Sequence, residues 1–116
     1  MPDFYCDQIL TAALKVEVLE ESPYVLAFNH TRPYWPVHIV VIPKTHIESI
    51  DVLSSEHERI VLDAMRIISR VAAKVRAEHG GCRVSTNVGE YQDTPHLHWY
   101  VHAGRRIRDE AGREIE

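Results

Sequence analysis

The chain has 116 residues, 45% of them apolar and 26% charged, with a formal net charge of −4. That composition suits one globular domain, and no apolar run reaches the length of a membrane span. The acidic balance gives no reason to expect a nucleic-acid polymer, and two cysteines are too few for a secreted disulfide scaffold. The N-terminus lacks the basic and apolar regions of a secretory leader, so a cytoplasmic protein with no membrane partner is expected.

In chain order, Asp3 is placed to cap a short helix reaching about Leu10, with Phe4 and Ile9 as anchors. Val16 to Leu19 and Tyr24 to Phe28 have strand composition and flank a Glu20-Glu21-Ser22-Pro23 turn. Asn29 to Pro36 is a loop stiffened by two prolines, in which Tyr34 and Trp35 either cover an edge of the core or form a wall of a ligand pocket. Val37 to Ile42 is an apolar strand interrupted by His38 and closed by Pro43. A long amphipathic helix starts at Ser54 or Ser55, with Ser55 and Glu58 at capping-box spacing, and ends at His79-Gly80-Gly81. Cys82 to Val88 resumes as a strand, and Asn87 to Gln92 turns into the next. Five strands and one long helix predict an α+β fold.

The last strand carries the chemistry. In His96-Leu97-His98-Trp99-Tyr100-Val101-His102, apolar residues alternate with His or Tyr, the period of a half-buried strand. His96, His98, Tyr100 and His102 then share one face, where imidazoles can serve proton transfer or a metal. After Gly104, residues 106–116 are charged and have little to pack, so they are expected to form a solvated tail behind a domain of residues 1–105.

This strand resembles the signature of the histidine-triad nucleotide hydrolases and transferases. His96 and His98 match the first two triad positions, and Tyr100 stands at the third. The run from Ala27 to Ile47, with Val37-His38-Ile39-Val40-Val41-Ile42-Pro43-Lys44-Thr45-His46-Ile47, is similar without a gap to the family's N-terminal half. The resemblance implies a five-stranded antiparallel sheet covered by one long helix, with a short N-terminal helix. It also implies a homodimer formed through the long helix and a strand, with Val61, Met65 and Ile68 as apolar surface.

The resemblance further implies transfer or hydrolysis at the α-phosphorus of a nucleoside phosphoramidate, dinucleoside polyphosphate or related nucleotide conjugate. The reaction would run through a nucleotidyl-histidine intermediate, without metal or cofactor. His98 would be the nucleophile, His96 and His38 would orient the site and bind phosphate, and Tyr100 would face the leaving group. Asn29, His30, Trp35, Asn87, Gln92, Asp93 and Arg105 would bind substrate. The chain departs from the family pattern at Tyr100, at Asp93 (usually serine), at His30 (usually aspartate) and at Tyr91, in a shortened loop. Two rivals are a nucleotide-binding protein without catalysis and a metal site built from His96, His98, His38 and His102, with neither cysteine placed in sequence to complete it.

Overall fold

The computed structural model describes residues 3–12 and 14–115. Five strands form one sheet: β1 (Val18–Glu21), β2 (Val25–Asn29), β3 (Val37–Pro43), β4 (Arg83–Thr86) and β5 (Trp99–Ala103). Their order is β1-β2-β3-β5-β4, and every neighbouring pair is antiparallel. Helix α1 (Glu58–His79) is the long connection between β3 and β4. It buries Ala64, Ile67, Ile68, Val71 and Val75 against Ile39, Val41, Trp99 and Val101. This is the α+β arrangement expected of the chain.

Period-two alternation divides the sheet into two chemical faces. Odd-numbered residues of β2, β3 and β5 meet α1. Even-numbered residues face the other way, where Leu26, Phe28, Val40, Ile42 and Tyr100 pack with Tyr5 and Ile9 of the N-terminal turn (Tyr5–Ile9). The register sets His38 opposite His102, and Tyr100 between Val40 and Ser85, on that second face.

Several expectations are corrected in detail. The N-terminal turn is anchored by buried Tyr5, with Phe4 exposed, and it stops at Ile9. β1 and β2 start later than the composition indicates, and β4 is shortened at both ends. The cap of the long helix is Ser54 with His57, whose Nδ1 accepts the Ser54 amide at 3.1 Å, and a single tight turn (Ser55–His57) precedes α1. Gly80 closes α1 at φ +89°, a conformation that a side chain would strain. Ile68 lies in the core, leaving Leu62 and Met65 as the exposed apolar residues of α1.

The charged tail is also folded, with Glu116 outside the described residues. The Ile107 amide donates to the Tyr34 carbonyl (2.7 Å), and the Ile115 amide donates to the Ile107 carbonyl (2.9 Å). Arg32 donates to the Gly112 carbonyl at 3.0 Å, which ties the turn at Gly112 to the Asn29–Pro36 loop. Backbone hydrogen bonds, which composition does not reveal, account for the difference.

Candidate active site

The ladder of β5 starts only at Trp99, so His96, in a bend, and His98 precede it outside the regular strand. The Leu97 amide donates to the Ile47 carbonyl, and the Thr86 hydroxyl donates to the His98 carbonyl, so the segment is held from both sides. His98 is buried, with Tyr5 and Tyr100 each at a ring-centroid distance of 5.1 Å. Its Nδ1 donates to the His96 carbonyl at 2.7 Å. The proton therefore sits on Nδ1, and the lone pair of the neutral ring is on Nε2. That atom is buried and has no hydrogen-bond partner among the described residues. Burial lowers the pKa of His98, against the opposing effect of the His96 carbonyl.

His38 has the complementary tautomer. The Tyr34 amide donates to its Nδ1 at 2.9 Å, so the neutral ring carries its proton on Nε2, also buried and unpartnered. Burial, then His30, His102 and His98, push its pKa down to about 3. Between these two atoms the site offers one free acceptor and one free donor. Tyr100 stands beside both rings, 4.4 Å from His38 and 5.1 Å from His98. Burial and Asp93 push its hydroxyl pKa up to about 12, so it holds its proton.

His96 plays a different part from the expected phosphate ligand. It is fully buried, with Nδ1 2.8 Å from Asp3 Oδ2 and Nε2 2.9 Å from the Pro43 carbonyl. Both ring nitrogens are spent on scaffold oxygens, and its influence on His98 runs through its own carbonyl. His46 Nδ1 reaches the same Asp3 oxygen at 2.5 Å. Burial alone raises the Asp3 carboxyl, but hydrogen bonds from Cys6, His96 and His46 hold it well below the usual carboxylate range.

Among the described residues, Asp3, Cys6, His46 and His96 each bring one donor atom to within 4.8 Å of the others. A carboxylate, a thiol and two imidazoles form a set that a zinc-sized ion accepts. This is not the set weighed from the sequence: His96 turns away from His38, toward Cys6 and Asp3. The available signal was the Asp3-x-x-Cys6 spacing on one turn.

Two clefts meet at Tyr100. The smaller, of about 230 Å³, is lined by Phe4, Tyr5, Phe28, His30, Thr31 and Arg32 among others. The larger, of about 990 Å³, includes Trp35, His38, Arg83, Ser85, Asn87 and His102. Tyr34, Asp93 and Tyr100 border both. Trp35 lies against His102, ring centroids 3.9 Å apart, with the Arg106 guanidinium 5.6 Å from its ring. Ser85 Oγ is 3.2 Å from His102 Nε2, and Arg83 Nε donates to His102 Nδ1 at 3.4 Å.

The structure thus gathers His30, Trp35, His38, Asn87, Asp93, His98 and Tyr100. It leaves three expected ligands apart. Asn29, odd-numbered on β2, lines a hollow on the α1 side. Gln92 accepts from the Gly89 amide and donates to the Glu48 and Thr94 carbonyls, so its amide is occupied. Arg105 is exposed and borders neither cleft, whereas Arg106 borders the larger one. Tyr5, Ser85 and Arg83 are site residues that the sequence reading did not single out.

Comparison with known proteins follows the same lines. The HIT domain family matches residues 12–107. An uncharacterized HIT-like protein of Azospirillum brasilense is 34% identical over 103 residues, covering 86% of this chain and 84% of that protein. The purine nucleoside phosphoramidase of Escherichia coli strain K12 is 24% identical over 102 residues, 86% of each chain. Among solved structures, a histidine triad protein from Clostridium difficile superposes with a TM-score of 0.77 at 30% identity, covering 94% of this chain and 96% of that one. A HIT family hydrolase from Legionella pneumophila gives 0.78 at 25% identity, covering 91% and 96%.

Proposed function

The chain belongs to the HIT domain family, and on that premise we propose that it is a nucleotidyl hydrolase or transferase with His98 as its nucleophile. The observation that carries this reading is the pair of buried, unpartnered atoms on one face: an imidazole lone pair at His98 Nε2 and an N–H at His38 Nε2. Buried polar atoms without partners are costly, and a site that binds a ligand is the common reason to keep them.

In the proposed reaction His98 Nε2 attacks the α-phosphorus of a nucleotide conjugate. The P–N bond forms as the bond to the leaving group breaks, and the leaving group carries away the electron pair. His38 Nε2–H hydrogen-bonds a phosphoryl oxygen and meets the charge that develops there. Water then attacks the same phosphorus and gives up a proton to solvent, the P–N bond breaks, and a nucleoside monophosphate leaves with the lone pair restored to His98. Both Nε2 atoms are covered in the present conformation, so Tyr100 or Tyr5 must give way for a phosphoryl group to reach them. The relative named a purine nucleoside phosphoramidase supports a phosphoramidate as a first substrate to try. A cytoplasmic homodimer goes with this reading.

Rapid quench with an adenosine phosphoramidate or mixed anhydride is the test. One acid-labile nucleotide per site should be trapped on the wild type and lost in His98→Ala, at a cost of several kcal/mol in the barrier, roughly 10³-fold in rate or more. Nucleotide binding without any adduct would favour a binding protein. An adduct that survives in His98→Ala would reassign the nucleophile.

A further inference from the structure

The Pro33–Tyr34 peptide sits between the charged tail and the candidate site. Its carbonyl accepts from Arg108 Nε at 3.0 Å, and its N–H donates to His38 Nδ1 at 2.9 Å. All peptide bonds of the described chain are trans, so the carbonyl and the N–H of this planar unit point in opposite directions. One amide therefore links a guanidinium on one side to an imidazole on the other. A cation on the oxygen polarises the group and makes the N–H a stronger donor.

We propose that Arg108 is a positioning residue: through this peptide it holds His38 as the tautomer whose Nε2–H is free for a phosphoryl oxygen, a role that rests on the nucleotidyl-transfer reading. Arg108 is itself fixed. Its Nη1 donates to the Gly112 carbonyl at 3.2 Å, Glu114 lies 4.0 Å from its Nη2, and four-fifths of the side chain is covered. The tail turn that carries it is closed by the Asp109 amide on the Arg113 carbonyl at 2.8 Å. The adjoining Tyr34 carbonyl is held by Ile107, so the peptide cannot easily rotate away from His38.

Other groups facing His38 leave its tautomer to this one bond. His30 stacks on it from the loop, His98 acts on it from the segment before β5, and Tyr100 and His102 approach it from β5. Arg83 of β4 reaches it only through His102, while Asp93 and Arg106 border the same cleft. The Tyr34 amide is the hydrogen-bond partner that the ring has among the described residues, and Arg108 stands directly behind it.

The experiment is histidine-selective ¹⁵N NMR on the full-length protein, comparing wild type with Arg108→Ala and Arg108→Lys. Wild-type His38 should show a pyrrole-type Nε2 and a pyridine-type Nδ1 from about pH 5 to 8. Arg108→Ala should mix the two tautomers and move protonation of the ring to higher pH, because the cation is lost and the Tyr34 N–H, no longer polarised or held by it, donates more weakly to Nδ1. Arg108→Lys, which keeps the charge, should restore most of the single tautomer. In adduct formation, Arg108→Ala should lower the rate about 10-fold with KM little changed, less than the 10²–10³-fold that outright loss of an oxyanion donor costs. An unchanged His38 signature in Arg108→Ala overturns the proposal, as does a mixed signature that Arg108→Lys fails to restore. If the wild type forms no adduct, the nucleotidyl-transfer reading falls while the NMR result still decides what Arg108 does to His38.

Discussion

His30 lies flat on His38, ring centroids 4.2 Å apart and planes 20° from parallel. The stack leaves no room for charge on either ring. Burial pushes His30 down to about 4 and His38 down to about 3. Between these values and the ordinary 6.5, the unfolded chain binds protons that the native state refuses. The stability they contribute is therefore fully present above about pH 6.5 and is lost as pH falls through the folded values. Each ring adds a slope of up to about 1.4 kcal/mol per pH unit. Urea midpoints at about pH 7 and pH 5 should differ accordingly, and His30→Phe should flatten the dependence. Equal midpoints in the wild type would show that the stacked pair is not held neutral.

Tyr100 holds its proton too firmly to act as a leaving-group acid near neutrality. Conjugates with a nitrophenolate or pyrophosphate leaving group should react, while phosphoramidates of alkyl amines should lag. Tyr100→His should raise kcat/KM selectively for the poor leaving groups, by up to about 10²–10⁴-fold, the range typical of a positioned acid. The smaller ring also uncovers His98, so a lesser gain should appear across the whole series. Tyr100→Phe should cost little and uniformly. A loss that grows with leaving-group basicity in Tyr100→Phe would make the phenol the acid after all.

Asp3 joins the N-terminal turn to the histidine-bearing segment through His96, 93 positions away in sequence. Asp3→Ala would leave a fully buried imidazole without its carboxylate and would free the Cys6 amide. Leaving a buried hydrogen-bonding group without its carboxylate partner costs about 1–3 kcal/mol. Denaturant unfolding should report that loss, and Tyr5, which packs on His98, should become more accessible. A destabilisation below about 1 kcal/mol would make the contact incidental.

The surface for the expected dimer keeps Met65 but loses Ile68 to the core. Leu62 and Met65 of α1 and Val84 of β4 are 51%, 41% and 49% exposed, and β4 is an edge of the sheet. Light scattering at micromolar concentration should give about twice the chain mass of 13.4 kDa. Met65→Glu should shift the population toward monomer. A wild type already at single-chain mass would remove the dimer from the picture.

Local patterns carried the sheet and the strand of histidines, because apolar alternation is itself the cause of a two-faced strand. The same parity also places Asn29 on the α1 side, an inference available from β2 alone. What sequence could not supply are partnerships with no local period. Asp3 with His96 and Arg108 with the Pro33 carbonyl join residues 93 and 75 positions apart, and neither leaves a trace in its own neighbourhood. His96 and His98 illustrate the difference. They are identical in type and two positions apart, yet the N-terminal turn spends one on structure and leaves the other free.

Tyr100 borders both clefts and packs beside the rings of His38 and His98. Under the proposed reaction, displacing it would join the two spaces and open a way to His98 in a single movement. Selection among substrates then depends on span: a conjugate long enough to occupy both sides acts as a wedge, whereas a small phosphate ester settles in one side and leaves the reaction centre shut. Once the departing half has gone, the vacated side is where the next reactant must enter. In the proposed reaction the partition between hydrolysis and transfer to another acceptor would therefore be a competition for that one empty space.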